Sequence, residues 1–433
     1  MHKELLRKIN DRKAKIGIIG QGYVGLPLSV ELAKHGFCAI GFEVDAFKVE
    51  SINKGKSYIG DVDSDVLKGL VKNGKISATS DFDKLSKEDV IIICVPTPLR
   101  KSKDPDVSYI LSAANNVKKT LKKGQLIILE STTYPGTTKE LMLPILEETG
   151  LKAGSDFFLA FSPERIDPSN KKFGIKETTK VVGGLCEKCT ELAAAVYSSF
   201  TKVHKVSSTE AAEMVKLLEN TFRAVNIALV NEVALMCDKL QLNVWEVIEA
   251  AATKPFGFMP FYPGPGIGGH CIPLDPHYLS WKLKTLNFYS RFIELAGEMN
   301  SKMPEYVVSK ITDALNSKAK ALKNSKILVL GAAYKKDVSD VRESPALDVI
   351  NILISKGVKV SYYDPYIPEI QNCSCGHSFK SEKTLNGLKK YDAVAIVTDH
   401  TGIDYKKVLK DCEIIVDSRN VFKNNKSNKI VRI

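Results

Sequence analysis

One segment of the chain, YPGPGIGGHCIPLDPHY from Tyr262 to Tyr278, places a cysteine and an aspartate four residues apart, Cys271 and Asp275. The cysteine is either a buried, inert thiol or a nucleophile presented by a stiff loop. Glycines crowd the same segment, and we expect them to leave backbone N–H groups free and sterically open to a ligand. They stand at positions 264, 266, 268 and 269.

A glycine-rich turn near the start of the chain has the pattern GxGxxG, from Gly20 to Gly25. It follows an apolar strand predicted at residues 14–19 and opens a predicted helix, which is the context of a dinucleotide-binding turn. Gly20 permits the tight turn, and Gly22 lets the backbone approach a pyrophosphate at the helix N-terminus. Gly25 allows the helix to pack closely on the strand.

An acidic residue, Glu43, ends the next predicted strand at residues 37–43. A carboxylate there accepts hydrogen bonds from the ribose hydroxyls and repels a 2′-phosphate, so NAD is favoured over NADP. Lys48 is the nearby residue that leaves NADP open. A cysteine beside a nicotinamide suggests covalent oxidation, in which a thiolate adds to an aldehyde and the adduct loses a second hydride.

A long helix is predicted from Thr209, where over thirty residues contain neither glycine nor proline. Lys216 and Asn220 lie four residues apart on it and share a face. The lysine is either a surface residue that extends its stem along apolar neighbours or a cation held in a site. Helix spacing alone favours the surface position.

The order of elements predicts an α/β protein with two Rossmann-like doubly wound domains, joined by a central helical region that contains the long helix. The two α/β parts share a strand–turn–helix plan, and no residue-level repeat is expected between them. The predicted divisions are a leading helix at 1–12, an NAD-binding domain at 13–208, a helical domain at 209–322 and an α/β domain at 323–433.

The composition excludes several classes of protein. No apolar run approaches the roughly 18 residues that a membrane helix needs, and the charged start is not typical of a signal peptide, so a cytoplasmic location is expected. The net charge of +12 is spread along 433 residues, which indicates a lysine-rich surface rather than a nucleic-acid site. Nine scattered cysteines do not form a disulfide framework. Cys186, Cys189 and the CSCGH segment at 373–377 are interpreted as incidental thiols, and no metal is expected.

From about residue 13 to 425, the chain resembles a known family, the UDP-glucose/GDP-mannose dehydrogenases. These NAD-dependent enzymes oxidise C6 of a nucleotide sugar twice and give the uronic acid. The resemblance rests on separate motifs in the family's order and spacing. They are GQGYVGLP, VPTP, ESTTYPGTT, FSPERIDP, EMVKLLENTFRAVNIALVNE, GPGIGGHCIPLDP, GAAYKKDVSDVRESPA and DSRN.

The resemblance implies a role for each matching residue. Cys271 matches the nucleophile that forms a thiohemiacetal and then a thioester. Lys216 matches the lysine that stabilises the oxyanion, which reverses the surface interpretation, and Asn220 matches a hydrogen-bonding partner of oxyanion or substrate. Asp275 matches an aspartate linked to proton handling and water. Glu164 matches the glutamate that activates water for thioester hydrolysis.

Other residues are expected, on the same resemblance, to bind the two ligands. Thr132 would position the catalytic water near the cofactor, and Arg342 would reach towards the NAD diphosphate. The expected cofactor-binding residues are Gly20, Gly22, Tyr23, Val24, Gly25, Glu43, Lys48, Thr97, Thr132 and Arg342. The expected substrate-binding residues are Glu164, Arg165, Ile166, Lys216, Asn220, Phe261, Tyr262, Gly268, Tyr334, Lys335 and Arg419. The resemblance also implies that the α/β domain at 323–433 binds the UDP-sugar, with Lys335 and Arg419 on its nucleotide part. It further implies a homodimer through the long helix.

The sugar is less closely defined than the family. The HCIPLD sequence around Cys271 looks like the branch that acts on UDP-N-acetylglucosamine, since UDP-glucose enzymes usually carry a small residue before the nucleophile. The loop at 253–264 contains Phe256, Phe258, Phe261 and Tyr262, an aromatic edge that suits an N-acetyl group. UDP-N-acetylmannosamine is the close alternative, with UDP-glucose behind it. The rival class of enzyme is a one-step NAD-dependent hydroxyacid dehydrogenase, which needs no cysteine and forms one NADH per substrate.

Overall fold

The computed structural model describes residues 1–98, 104–165, 174–269, 271–371 and 378–433. The chain divides into two compact units. The N-terminal unit comprises Met1–Glu219 with Trp281–Asn287, and the C-terminal unit comprises Asn220–Ser280 with Phe288–Ile433.

The N-terminal unit is built on a sheet of eight strands. Their bounds are β1 Lys15–Ile19, β2 Cys38–Phe42, β3 Ile76–Thr79, β4 Val90–Ile93, β5 Leu126–Leu129, β6 Phe158–Phe161, β7 Lys180–Gly184 and β8 Val203–Lys205. The spatial order is β3-β2-β1-β4-β5-β6-β7-β8. All neighbours are parallel except β6 and β7, which are antiparallel.

Helices cover both faces of this sheet, which is why its central strands are uninterrupted apolar runs. Ile92 and Ile128 face one core together with the helix Glu187–Tyr197, whereas Ile91 and Ile127 face a second core together with the helix Ser108–Thr120. The helices are α1 His2–Asn10, α2 Gly25–Lys34, α3 Ala46–Asn53, α4 Ser64–Lys72, α5 Ser108–Thr120, α6 Leu143–Glu147, α7 Glu187–Tyr197 and α8 Thr209–Lys239. A 3₁₀ turn spans Phe82–Lys87 and a π-helical turn spans Thr137–Met142.

The predicted long helix is confirmed as α8, which has 31 residues. It begins in the N-terminal unit and ends in the C-terminal unit. Three further helices follow it, α9 Val244–Ala251, α10 Asp275–Lys284 and α11 Arg291–Asn316.

The C-terminal unit contains the second α/β sheet, with five parallel strands in the order β10-β9-β13-β14-β15. The strands are β9 Lys326–Leu330, β10 Lys359–Tyr363, β11 Glu369–Ile370, β12 Phe379–Lys380, β13 Ala393–Ile396, β14 Ile415–Asp417 and β15 Ile430–Arg432, of which β11 and β12 form a separate antiparallel pair. The helices are α12 Pro345–Ser355 and α13 Tyr405–Asp411. The fold class predicted from the sequence is confirmed.

The two sheets begin with the same hydrogen bonds, in keeping with the strand–turn–helix plan that the two α/β parts share. The amide of Lys15 donates to Asp89 Oδ2 at 3.0 Å, and the amide of Lys326 donates to Asp392 Oδ2 at 2.9 Å. Each aspartate also pairs with a lysine that precedes the first strand, Lys8 or Lys320, at 2.9 Å in both units. The correspondence lies in single residues beside the strands, so the prediction that the two parts share no residue-level sequence repeat is unaffected.

Among the described residues, no helix is both long enough and apolar enough to cross a bilayer.

Candidate active site

The glycine-rich turn connects β1 to α2 in the N-terminal unit. Gly20 has a φ of +88°, a left-handed conformation that L residues rarely adopt. A Cβ atom at Gly25 would lie 1.9 Å from the carbonyl oxygen of Gly20, so only glycine lets α2 begin this close to the turn. Both residues therefore have the structural roles that the pattern predicted.

The middle of the same turn is open. A Cβ atom at Gly22 would meet nothing within 4 Å, so the residue is glycine for a reason that the chain itself does not supply. No side chain caps the N-terminus of α2, where Val24 is the N-cap, and Tyr23 beside it is 61% exposed. Open space and uncapped backbone N–H groups at a helix N-terminus fit the pyrophosphate of a dinucleotide.

Glu43 follows β2 and lies beside this turn. Its carboxylate accepts hydrogen bonds from the backbone N–H groups of Gln21 at 2.9 Å, Val44 at 3.0 Å and Asp45 at 3.2 Å. Lys48 Nζ lies 3.5 Å from Glu43 Oε2. The carboxylate is thus fixed at the edge of the glycine turn, and Lys48 is its ion-pair partner. Its remaining lone pairs could accept hydrogen bonds from the hydroxyls of a ribose.

The turns that follow β4 and β5 are joined at the carboxyl end of the sheet. The hydroxyl of Thr97 donates to the carbonyl of Thr132 at 2.6 Å. The Ser131 hydroxyl donates to the Val95 carbonyl at 2.8 Å and accepts from the Val95 amide at 3.1 Å. These bonds fix both predicted threonines at the end of a parallel sheet where ligands of doubly wound folds bind.

Glu164 lies at the same end of the sheet, after β6. Its Oε2 accepts from Lys180 Nζ at 2.8 Å, and its Oε1 accepts from the amide of Arg165 at 2.7 Å. Arg165 in turn donates to both carboxylate oxygens of Glu219 on α8, at 3.2 and 2.6 Å. Ile166, the remaining predicted residue of this segment, lies outside the described residues.

Sequence reasoning missed a buried cluster beneath Glu164. Lys180 pairs with Glu130 as well as with Glu164, and Tyr197 donates to Glu130 Oε2 at 2.5 Å. Burial raises the pKa of Glu130 to about 7. Burial alone would lower the pKa of Lys180, but the two carboxylates outweigh it and raise that pKa. A glutamate directly after the all-apolar strand β5 is the sequence signal that could have indicated this cluster.

Lys216 on α8 is 8% exposed, so the surface position that helix spacing favoured is wrong. Within the described part of the chain, its ammonium group has no hydrogen-bond or ion-pair partner. Because a cation on a largely buried side chain is costly without a partner, the residue suits a site for an anionic group. The oxyanion role assigned by resemblance stays a prediction.

In the C-terminal unit, Asn220 donates from Nδ2 to Asp275 Oδ2 at 2.5 Å, and the two side chains are 4% and 3% exposed. Cys271 is exposed, so it is not a buried, inert thiol. Its carbonyl oxygen accepts from the amides of Leu274 at 3.2 Å and Asp275 at 2.8 Å. This turn starts α10 and fixes the cysteine next to the Asn220–Asp275 pair along the chain.

The expectation that the loop glycines have free N–H groups is wrong for two of them. The amide of Gly264 donates to Asn231 Oδ1 at 3.0 Å, and that of Gly269 donates to the carbonyl of Arg342 at 3.2 Å. A Cβ atom at Gly268 or Gly269 would lie 2.7 Å from Tyr334. The glycines are needed because the loop packs directly on the segment that carries Tyr334.

The predicted aromatic edge has two different parts. Phe261 packs edge-to-face on Phe222, with ring centroids 5.8 Å apart, and Tyr262 stacks on Trp245 at 5.8 Å. By contrast, Phe256 and Phe258 lie in the exposed loop. The first two rings are therefore also packing residues of the helical region.

The predicted nucleotide-binding residues of the C-terminal unit have partners within that unit. Arg419 Nε donates to the carbonyl of Val397 at 2.7 Å. Arg342 is exposed and forms a two-point contact with Asp340, with Nε to Oδ1 at 2.9 Å and Nη2 to Oδ2 at 2.6 Å. Lys335 follows Tyr334 and is half-buried. Their roles towards a substrate or NAD stay predictions.

Two cysteine groups were interpreted as incidental. Cys186 Sγ and Cys189 Sγ lie 3.3 Å apart at the start of α7, and burial raises the pKa of Cys189 to about 12. No group of three or more potential metal ligands occurs among the described residues. The CSCGH segment and His270 lie outside them.

Comparison with known proteins gives matches along nearly the whole chain. The sequence models of the UDP-glucose/GDP-mannose dehydrogenase family match in three parts, the NAD binding domain at residues 14–201, the central domain at 210–302 and the UDP binding domain at 328–424. A UDP-N-acetyl-D-mannosamine dehydrogenase of Pyrococcus horikoshii is 36% identical over 416 residues, 94% of this chain and 96% of that protein. A UDP-N-acetyl-D-glucosamine 6-dehydrogenase of Pseudomonas aeruginosa is 35% identical over 356 residues, 82% of this chain and 83% of that protein.

Solved structures agree with the sequence matches. The structure of UDP-D-ManNAc dehydrogenase from Pyrococcus horikoshii has a TM-score of 0.87 at 35% identity and covers 97% of this chain and 99% of that chain. An NDP-N-acetyl-D-galactosaminuronic acid dehydrogenase from Methanosarcina mazei has a TM-score of 0.83 at 31% identity and covers 99% and 97%.

Proposed function

This chain belongs to the UDP-glucose/GDP-mannose dehydrogenase family and is an NAD-dependent nucleotide-sugar dehydrogenase. We propose that it oxidises C6 of a UDP-N-acetylhexosamine to the carboxylate, and the first candidate for this substrate is UDP-N-acetylglucosamine. One observation carries the proposal. The exposed thiol of Cys271 begins the turn into α10, whose first residue, Asp275, is held by Asn220. A nucleophile fixed beside a buried amide–carboxylate pair suits covalent oxidation of an aldehyde.

The chemistry of each residue follows from its type. When bound, NAD⁺ accepts one hydride from C6 in each of the two oxidations. Cys271 adds as a thiolate to the aldehyde carbon and forms a thiohemiacetal, and the oxidised adduct is a thioester. Lys216, a largely buried residue whose ammonium group has no partner within the described residues, would stabilise the oxyanion. Glu164 would accept a proton from the water that hydrolyses the thioester.

The choice of sugar rests on the loop that precedes Cys271. Phe256 and Phe258 are exposed in that loop, and an aromatic edge suits the apolar methyl of an N-acetyl group. UDP-N-acetylmannosamine is the second candidate, because the Pyrococcus horikoshii relative named for it matches over more of the chain than the N-acetylglucosamine relative does.

The test measures NADH formed per mole of limiting sugar with the purified chain and NAD⁺. UDP-GlcNAc, UDP-ManNAc, UDP-glucose, UDP-galactose and GDP-mannose are compared side by side. We expect two NADH per UDP-GlcNAc and little from the other sugars. Two NADH from UDP-ManNAc instead would retain the mechanism and select the second candidate. One NADH per sugar would contradict the double oxidation.

The variant Cys271→Ser separates the nucleophile from general thiol effects. We expect it to lose at least about 1,000-fold in the rate of carboxylate formation, because a hydroxyl is a far weaker nucleophile at neutral pH. Cys38→Ser is the matched control, since Cys38 is also exposed and lies outside the predicted site. Equal loss in both variants would contradict the role of Cys271.

We also propose that the chain forms a homodimer through α8. Phe222, Leu229 and Met236 follow one another at seven-residue intervals on this helix and are 46%, 55% and 50% exposed. A seven-residue apolar repeat is the pattern that pairs helices. Sedimentation should give a dimer for the native chain and a monomer for Leu229→Glu with Met236→Glu. Val66→Glu, an exposed valine on α4, is the control and should leave the dimer intact.

A further inference from the structure

Lys180 has an unusual place in the N-terminal unit, because it begins the strand that runs antiparallel to its neighbour. The register pairs Phe161 of β6 with Gly183 of β7. Continuing this register beyond β6 brings Lys180 opposite Glu164. The lysine therefore lies at the carboxyl end of the sheet, where the residues that follow the parallel strands also meet.

The ammonium group of Lys180 is enclosed and serves two carboxylates. It bonds to Glu130, and it donates to Glu164 Oε2 at 2.8 Å. Lys180 and Glu130 are 2% and 1% exposed, whereas the Glu164 side chain is 14% exposed. Tyr197, which is fully buried, holds the far oxygen of Glu130 at 2.5 Å. The buried part of the cluster thus anchors the one carboxylate that reaches solvent.

The charges in the cluster do not cancel. When both carboxyls are ionised, the single ammonium of Lys180 leaves the cluster with one net negative charge, and only Glu164 of the three reaches solvent. Glu130 and Glu164 therefore compete for Lys180, and each is less easily ionised because of the other. This competition couples the buried glutamate to the exposed one.

We propose that Lys180 is a positioning residue for the hydrolytic step: it fixes the Glu164 carboxylate at the carboxyl end of the sheet and keeps it ionised, while Glu130 limits how strongly it does so. The inference rests on the proposed function. In that step the oxygen of water bonds to the thioester carbon, its proton passes to Glu164, and the C–S bond breaks to release the carboxylic acid and the Cys271 thiolate.

Several titratable or charged groups face Glu164. Lys180 approaches from β7, Glu130 from the end of β5 and Tyr197 from α7. Cys94, at the end of β4, interacts electrostatically with Glu164. Arg165 is adjacent, and its guanidinium is paired with Glu219. Lys180 is the cation among them whose side chain bonds directly to the Glu164 carboxylate.

Substitutions of Lys180 and Glu130 are predicted to shift the acid limb of the pH–rate profile in opposite directions. A merely structural role for the two residues would not give this result. Replacing Lys180 by methionine removes a positive charge, so Glu164 gains its proton at higher pH and the acid limb of the rate profile moves up. Replacing Glu130 by glutamine removes a negative charge and leaves Lys180 to Glu164, so the same limb moves down. Loss of packing would affect both variants in the same direction.

The experiment uses the full chain as native protein, Lys180→Met, Lys180→Arg and Glu130→Gln, with NAD⁺ and the UDP-sugar that the native protein oxidises fastest. It records the NADH burst, the intact protein mass during turnover and the pH profile of thioester release. Thermal unfolding and the Kd for NAD⁺ report folding. Lys180→Arg keeps the charge and serves as the variant that folds if methionine does not.

We expect Lys180→Met to give a burst of two NADH per site and then to accumulate protein heavier by the acyl group, with release slowed about 100-fold. Lys180→Arg should restore release to within about tenfold of the native rate. Equal slowing of the first hydride transfer, or acid limbs that move together, would overturn the inference and leave the proposed function intact. A native protein that forms fewer than two NADH per sugar with every sugar would overturn both.

Discussion

At the scale of single residues, the glycines of the first turn divide into two that the fold needs and one, Gly22, that no contact within the chain requires. Gly20 and Gly25 are surrounded by backbone atoms, whereas Gly22 faces open space. The pattern GxGxxG predicts all three roles together. The distances assign them, because only the coordinates show which missing side chain would collide with the chain itself.

The same substitution at two positions tests this division. Gly22→Ala should keep the native unfolding temperature and weaken NAD⁺ binding by about tenfold or more, which is about 1.4 kcal/mol, because its methyl group occupies the pyrophosphate site. Gly25→Ala should lower stability by about 1–3 kcal/mol, because its methyl group collides with the Gly20 carbonyl. Thermal unfolding and fluorescence titration with NAD⁺ distinguish the two. The interpretation fails if both variants lose only stability.

At the scale of helices and strands, the N-terminal unit buries carboxyl groups near the ends of its elements. Glu213 on α8 accepts from the amides of Gly136 at 2.6 Å and Thr138 at 2.9 Å, and so joins the long helix to the π-helical turn. Glu88 follows the 3₁₀ turn before β4 and has no hydrogen-bond partner for Oε2 among the described residues. The first carboxyl is held by donors, and the second is simply buried.

Glu88 makes stability depend on pH. Burial raises its pKa to about 7 from an ordinary value of 4.5, with Lys15 opposing the shift. The folded chain therefore holds a proton that the unfolded chain has lost between these values, and stability falls as pH rises through that window. We expect Glu88→Gln to gain about 1–3 kcal/mol over the native protein between pH 5 and pH 8.

Urea unfolding of both proteins at the two pH values measures this difference. Asp83→Asn, a change of an exposed carboxylate in the same 3₁₀ turn, is the control and should follow the native pH dependence. Parallel stability curves for Glu88→Gln and the native protein would show that Glu88 does not titrate in this range.

At the scale of the whole molecule, the two α/β sheets share a plan but offer different binding surfaces. Gly331 follows β9 with a φ of +85°, as Gly20 follows β1, and Asp364 follows β10, as Glu43 follows β2. Asp364 accepts from the amides of Ala332 at 2.7 Å and Ala333 at 2.9 Å.

The N-terminus of α12, the helix that follows β9, is also unavailable to an anion. Ser344 caps the N-terminus of α12 and Pro345 begins it, so the second turn lacks the uncapped helix start that α2 presents. The two units are therefore related in fold and different in what they can hold.

One NAD⁺ per chain is the expected stoichiometry. The glycine turn of the N-terminal unit can hold a pyrophosphate, whereas the corresponding turn of the C-terminal unit already donates its amides to Asp364. Calorimetric titration of the full chain should give a single site that Gly22→Ala weakens. Saturation with UDP should leave that site available, and two equivalent NAD⁺ sites would contradict the distinction between the turns.

The sequence alone determined the fold class, the dinucleotide turn, the long helix and the family, because these depend on local spacing and on motifs that stay contiguous in the chain. Only the tertiary structure showed that Lys216 is buried, that the glycines around Cys271 pack on Tyr334, and that Glu130, Lys180 and Tyr197 lie beneath Glu164. The physical reason is the same in each case. Burial and ion pairing depend on residues far apart in the chain, and antiparallel pairing of β7 with β6 places Lys180 beside a carboxylate sixteen residues earlier.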